Sequence, residues 1–286
     1  MLQGAVPPSE YDRMRCPFQE GDFPFPVKYG YGFVGEVVDG PAALLGKACM
    51  ALSPHQEYAR LPRDAVLPLP AGLPPRRAVL AANMETALNV LWDAEVAAGD
   101  RVLIAGAGVV GLLIAALAAR IPGVEVTLAD INPAKRGIAE QLGAAFRAPS
   151  DRPAGAEEDV DVAINASGAP EALRHLLERA GVEAKVVEAS WHGDAPATLP
   201  LGAAFHARRL SIVSSQVGRI PARRAPRWTH RRRLAKALDL LAAMPEAEAL
   251  ITHDVPLSDA PARLPALIET DPGALCVAIR YEAGAA

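Results

Sequence analysis

Apolar and polar positions follow two different rhythms along this chain. From about residue 100 onward, short apolar runs recur at Val102–Ala105, Val124–Ala129, Val160–Ile164, Lys185–Ala189 and Leu210–Ser214. Runs of four to six residues, bounded by turn formers and rich in Val, Ile and Leu, suit strands buried on both faces. Between them lie stretches of helical spacing, at Leu112–Arg120, Pro133–Leu142 and Pro170–Ala180. A loop is expected from Leu142 through Gly155. Strands alternating with helices predict an α/β fold built on a doubly wound parallel sheet. Residues 1–80 read differently. They are rich in Pro and Gly, with strand candidates at Phe33–Val38 and Ala48–Leu52, which suits a small, irregular β-rich domain. A helix over Arg76–Ala94 is expected to join the two. Leu234–Met244 reads as a further helix, and Cys276–Tyr281 as a last strand returning to the first domain.

The densest signal is VLIAGAGVVGLLIAALAARIPGVEVTLADINPAKR, residues 102–136. Gly106, Gly108 and Gly111 stand in GxGxxG spacing between an apolar strand and an Ala/Leu-rich helix. In a Rossmann dinucleotide site the first glycine permits the tight turn, the second lets backbone approach a pyrophosphate, and the third lets helix and strand pack closely. Val109 and Val110 complete the motif just before the helix, whose free N–H groups and dipole favour an anion, and are counted with it as cofactor-binding. Asp130 closes the next strand, 19 residues past Gly111, close to the spacing of a carboxylate that binds a ribose 2′-hydroxyl. Such a carboxylate repels a 2′-phosphate, so NAD is preferred to NADP. Ile131 follows it, and Lys135 and Arg136 are near enough to soften the preference. Two plainer readings compete: a glycine-rich turn of any α/β protein, and a membrane helix, since residues 102–119 carry no charge. The three early glycines and the flanking Asp100, Arg101 and Arg120 disfavour a span. Ligands of such sheets bind beyond the carboxyl ends of the strands. That gathers Gly106, Asp130, Ser167, Gly168, Ser190 and Ser215 around one crevice.

Length and charge narrow the picture further. The 286 residues suffice for two domains, and a net charge of −4 gives no reason to expect a nucleic-acid or membrane partner. Cys16, Cys49 and Cys276 are scattered, so neither a zinc knuckle nor a disulfide framework is indicated. The first residues, MLQGAVPPSEYDRM, lack the basic and apolar regions of a signal peptide, and a cytoplasmic location is expected. The basic stretch RIPARRAPRWTHRRRLAK, residues 219–236, reads as a solvated loop and helix start. A rim attracting an anionic substrate or cofactor is the sharper alternative. A nucleic-acid patch is disfavoured, because only Trp228 is aromatic there and no recognition motif accompanies it.

The order of parts resembles the medium-chain dehydrogenase/reductase family, the zinc-type alcohol dehydrogenases and their relatives. The carrying residues are GYGFVGEVV (30–38), ETALNVLWDAEVAAGDRVLIAGAGVVG (85–111), ADINPAK (129–135) and LITHDVPLSDAPA (250–262). The resemblance implies a catalytic domain with a GroES-like barrel, interrupted by a Rossmann domain. It implies hydride transfer between a nicotinamide cofactor and a small alcohol or carbonyl substrate, in a homodimer or tetramer. The expected divisions are 1–83 for the first, partial catalytic segment, 84–218 for the Rossmann domain and 219–286 for the return. Residues 190–218 resemble a subgroup that includes bacteriochlorophyllide-type dehydrogenases. Where the family's glycine–histidine–glutamate motif supplies a zinc ligand, this chain has Gly30-Tyr31-Gly32, and a later ligand position falls on Ala82. At least two of about three ligands are therefore missing, and no zinc is expected. By family length, the first strands of the barrel would precede Met1, so an N-terminally truncated member is expected.

Without zinc, another group must polarise the carbonyl. Tyr31 stands at the vacated ligand position and can donate to a developing alkoxide, or merely fill the space. Lys28 and Tyr29 are alternatives. Glu85 and Asn83 lie near the missing later ligand, although Glu85 is equally an acid interacting with a helix dipole. His192 follows a strand end and can approach the nicotinamide; each histidine taken singly also has a surface or structural reading. The leading expectation is a zinc-independent NAD-dependent oxidoreductase. Its competitor is a catalytically incomplete nucleotide-binding remnant.

Overall fold

The computed structural model describes residues 7–24, 26–149, 151, 159–194 and 196–281. The chain forms two compact units. One takes residues up to 82 and from 230 onward; the other is the continuous segment 83–229.

In chain order the elements of the first unit are β1 (Glu20–Gly21), β2 (Val27–Lys28), β3 (Phe33–Glu36), β4 (Ala48–Ala51), β5 (Leu67–Pro68) and α1 (Pro75–Ala78). The boundary falls inside α2 (Ala81–Ala94). The second unit then carries β6 (Arg101–Ala105), α3 (Val109–Ala118), β7 (Glu125–Ala129), α4 (Arg136–Gln141), β8 (Ala145–Arg147), β9 (Val160–Asn165), α5 (Pro170–Arg179), β10 (Ala180–Glu188) and β11 (Ser211–Ser214). The chain returns to the first unit with α6 (His230–Ala242), β12 (Ile251–Pro256), α7 (Ala260–Thr270) and β13 (Cys276–Arg280).

The second unit is the expected doubly wound sheet. Its six strands lie in the order β11-β10-β9-β6-β7-β8, and all five pairings are parallel. The chain starts at the centre with β6, runs outward through β7 and β8, then crosses back to β9 and outward again. The crevice of such a sheet opens where the order reverses, between β6 and β9. Val102, Leu103, Ile104 and Ile164 are essentially inaccessible, as strands covered on both faces require. α3 is buried from Gly111 to Ala118, so its uniformly apolar sequence is that of a core helix. α5 is amphipathic instead. Leu173, Leu176 and Leu177 pack on Leu103, Ala163 and Val186, and Pro170 sits in its first turn, where no N–H is needed.

Three local expectations change. The helix over 76–94 is interrupted, because Val79 and Leu80 bond back three residues, to Arg76 and Arg77, and separate α1 from α2. β8 lies in a stretch read as loop; three residues at a sheet edge carry too little periodicity to register. β10 begins five residues early, with a register irregularity between Ala180 and Lys185 and Glu183 at φ +61°. Among the described residues no helix is long and apolar enough to cross a membrane. The basic stretch divides. Its first part, through Thr229, belongs to the second unit, where Trp228 packs against Trp92 at a tilt of 57° with centroids 4.7 Å apart and Arg223 pairs with Glu95.

The first unit holds three small sheets: antiparallel β3-β4-β5, antiparallel β1-β2 and parallel β12-β13. An ionic knot ties α1 to the returning chain. Arg76 donates to Glu248 at 2.9 Å, to Asp254 at 2.8 Å and to the Ile251 carbonyl at 2.9 Å. Arg77 donates to the other Glu248 oxygen at 3.1 Å and to the Leu241 carbonyl at 3.1 Å. Burial pushes the Glu248 carboxyl up, but the two guanidinium groups outweigh it and hold it below the ordinary range. Hydrogen bonds from Arg76 do the same for Asp254. Carboxyls depressed in the folded state stabilise it fully above their unfolded pKa, and the contribution is lost as pH falls through the folded values. Thermal melts of the full chain between about pH 7 and about pH 3 should therefore show a steep acid loss. Arg76→Met should lower the melting temperature at neutral pH and flatten that slope; an unchanged slope would remove the knot from the stability of this unit.

Candidate functional site

The three glycines of the β6–α3 turn stand in three different circumstances. Gly106 adopts φ +102°, and a Cβ there would stand 2.6 Å from the Ser167 Cα and 2.7 Å from the Ala166 carbonyl oxygen. At Gly111 a Cβ would lie 2.0 Å from the Gly106 carbonyl oxygen, so the helix rests directly on the turn. Gly108 is the opposite case. Its φ is an ordinary −73°, and a Cβ would meet nothing within 4 Å. A glycine demanded neither by backbone conformation nor by packing, next to open space at a helix start, leaves room for a ligand to approach the main chain. Leu112 N–H is the first to close an α-helical bond, onto Gly108 O at 2.9 Å. The N–H groups of Val109, Val110 and Gly111 precede that bond, at the positive end of a ten-residue helix.

Asp130 follows β7 and is joined to the same turn. One carboxylate oxygen accepts from Ala107 N–H at 2.6 Å and the other from Asn132 N–H at 2.8 Å. Ile131, beside it, is 88% exposed. Lys135 ends a short 3₁₀ turn capped by Asn132 and is buried. The Arg136 guanidinium lies 5.0 Å from the centroid of the Phe146 ring.

Across the crevice, the loops after β9 and β10 are locked by a polar box. Asn165, fully buried, accepts from Ser167 N–H at 3.1 Å and from its hydroxyl at 2.7 Å. Its amide donates to Glu188 at 2.8 Å and to the Ala169 carbonyl at 3.2 Å. Glu188 accepts from Ser190 N–H at 2.8 Å, and Gly168 N–H donates to the Ser190 hydroxyl at 3.0 Å. His192 closes the box, with Nδ1 3.3 Å from the Gly168 carbonyl and Nε2 3.2 Å from Glu188. Ser215, after β11, is engaged elsewhere. Its hydroxyl donates to Asp93 at 2.6 Å and its N–H to the Glu188 carbonyl at 2.9 Å.

The second unit thus brings Gly106, Gly108, Val109, Val110, Gly111, Asp130, Ser167, Gly168, Ser190 and His192 to the carboxyl edge of one sheet. Two members of the box escaped the sequence reading of the site. Glu188 ends the apolar run Val186-Val187 as Asp130 ends its own, and that acid-after-strand signal could have found it. Asn165, one residue beyond the apolar run of β9, is conspicuous only through its bonds.

Glu85 is buried on α2 of the second unit. Tyr31 and Lys28 belong to the first unit. Lys28 pairs with Glu20 at 3.0 Å, across β1 and β2. Tyr31 is 37% exposed. The Tyr29 hydroxyl is 2.7 Å from the Met14 carbonyl and 3.1 Å from the Tyr31 hydroxyl, with its single proton able to serve either. When it serves Tyr31, the Tyr31 proton is free to point outward. Burial pushes the Tyr31 phenol up, so it stays protonated at neutral pH as a donor must. Among the described residues no three His, Cys, Asp or Glu side chains converge in a way that could hold a metal ion.

No family model matches the chain. Among curated proteins, a 2-dehydro-3-deoxy-L-galactonate 5-dehydrogenase of Pseudoalteromonas atlantica is 29% identical over 135 residues, covering 45% of this chain and 39% of that one. An L-threonine 3-dehydrogenase of Chelativorans sp. is 26% identical over 197 residues, covering 54% and 57%. Both matches span less than two thirds of the relative's length. An alcohol dehydrogenase structure from E. coli CFT073, complexed with NADH, superposes with a TM-score of 0.71 at 22% identity, over 87% of this chain and 82% of that one.

The contrast between two glycines is testable. Gly108→Val should melt like the wild type and fail to bind NADH in a fluorescence titration. Gly111→Ala should lose stability by about 1–3 kcal/mol, because its methyl group collides with backbone. Wild-type NADH affinity in Gly108→Val would mean that no phosphate approaches this turn.

Proposed function

We propose that this chain, a member of the medium-chain dehydrogenase/reductase family, is an oxidoreductase that binds NAD in preference to NADP and acts on a small alcohol or carbonyl compound without zinc. The observation that carries the reading is the open space over Gly108, framed by the first N–H groups of α3 and by Asp130. The residues present fit a dinucleotide. Val109 and Val110 offer N–H groups to a pyrophosphate, and Asp130 offers acceptors to a ribose. Its two present donors, Ala107 and Asn132, leave further lone pairs on the carboxylate. When bound, the nicotinamide supplies the hydride chemistry.

The residues at the family's ligand positions do not fit zinc. Tyr31, Gly32 and Ala82 offer at best a phenol, and no step is assigned to a metal. Tyr31 instead holds a proton at its hydroxyl and donates it to the substrate oxygen, where negative charge develops as a carbonyl is reduced. Tyr29 can donate in turn to Tyr31, so the donor remains hydrogen-bonded. Both relatives are named for oxidation of hydroxyl-bearing acids, and small hydroxy acids are the substrates to try first.

Asp130 supports the cofactor preference through its charge, since a 2′-phosphate would meet a carboxylate already fixed in place. Titration of the full chain should give tighter binding of NADH than of NADPH, and Asp130→Ser should narrow or invert the difference. Tighter NADPH binding by the unmodified chain would reject the assignment.

Turnover provides the second test, read from NADH absorbance with L-threonine, 2-dehydro-3-deoxy-L-galactonate and short secondary alcohols, with and without a chelator. Chelator should change nothing. Tyr31→Phe should lower turnover by ~10²–10³, the usual effect of losing one such donor, while leaving NADH affinity intact. Full activity in that variant would reduce Tyr31 to packing. Loss of activity with chelator would overturn zinc independence.

A further inference from the structure

The polar box beyond β9 and β10 does more than join two loops, because it fixes a carboxylate. Glu188 is the last residue of β10, paired in register with Asn165 of β9 and Ser214 of β11. Its side chain, 17% exposed, folds forward over the strand end to accept the Ser190 N–H. It therefore sits at the carboxyl edge of the half-sheet β9–β11, across the order reversal from Asp130. In a doubly wound sheet that has its pyrophosphate on the first βα turn and its adenosine ribose at the next strand end, the nicotinamide half lies toward this opposite side.

Two neutral donors, Asn165 Nδ2 and Ser190 N–H, orient the carboxylate without cancelling its charge. Lys185, three residues earlier, points away and pairs with Glu95. His192 Nδ1 engages the Gly168 carbonyl. Its Nε2 stands 3.2 Å from Glu188 yet is buried and out of line for a hydrogen bond. A negative charge held away from bulk water is screened far less than one on the surface.

We propose that the Glu188 carboxylate, held by Asn165 and Ser190 at the strand ends, biases this site toward binding the oxidised, positively charged nicotinamide. The inference rests on the dinucleotide reading. The two redox forms differ by one positive charge on the ring, which a fixed anion favours in NAD⁺ and not in NADH.

The test compares NAD⁺ and NADH affinities of the full chain by calorimetric titration in wild type, Glu188→Gln, Glu188→Asp and Ser190→Ala. Glu188→Gln keeps the shape, removes the charge and loses one hydrogen bond, because an amide cannot accept at both ends. It should weaken NAD⁺ relative to NADH by roughly tenfold, the size of one partly screened unit charge. Glu188→Asp keeps the charge and should hold the wild-type ratio. Ser190→Ala loosens the same loops with the charge kept, so its two affinities should fall together. Should Glu188→Gln fail to fold, Glu188→Ser reads the same ratio. An unchanged ratio in the uncharged variants, or an equal shift in Ser190→Ala, overturns the proposal. Wild-type protein that binds neither nucleotide would instead overturn the dinucleotide reading beneath it.

Discussion

The helix start at Gly111 leans on the carbonyl of Gly106 so closely that no side chain fits between them, and much of the second unit follows from that contact. Bringing α3 this near to the end of β6 aims its free N–H groups at the crevice. It also brings the turn within reach of Asp130, whose carboxylate then binds the Ala107 N–H and ties β7 to the same corner. Gly106 is forced in its turn, because its left-handed backbone passes against Ser167 and Ala166 at the end of β9. Strand, turn, helix and the neighbouring strand ends are thereby fixed by backbone contacts that tolerate no substitution. Gly108, in the middle, alone has room to spare.

Carboxylates stand on either side of the order reversal, each fixed by main-chain N–H groups two residues ahead. Asp130 accepts from Asn132 N–H, and Glu188 from Ser190 N–H. The repetition has a simple cause. A strand that ends beyond its last ladder bond leaves N–H groups to be satisfied, and an acid at the strand end satisfies them while projecting charge into the crevice. In the proposed dinucleotide site one such acid would face a ribose and the other a cationic ring, so a single structural solution would serve both ends of an extended ligand.

The sheet and its glycine turn were legible because they rest on local pattern. Apolar runs such as Val102–Ala105 and Val160–Ile164 need no tertiary information to read as buried strands, and GxGxxG followed by Asp130 carries its own spacing. β8 was hidden because three residues at an edge have no period. The break at Val79 and Leu80 was hidden because both residues keep the apolar spacing of a continuous helix while their hydrogen bonds tighten. Asn165 and Glu188 could not be recognised as partners from a separation of 23 residues; only the parallel register of β9 and β10 sets them side by side. The Tyr29–Tyr31 contact was equally silent, since the irregular backbone between β2 and β3 has no period from which a shared hydrogen bond could be read.

A crystal structure of the full chain with NADH bound tests the central claim most directly. Pyrophosphate oxygens are expected within hydrogen-bond distance of the Val109 and Val110 N–H groups, directly over Gly108, with the adenosine ribose hydroxyls on Asp130. Density for the dinucleotide elsewhere, or over the turn with the ribose turned away from Asp130, would contradict it.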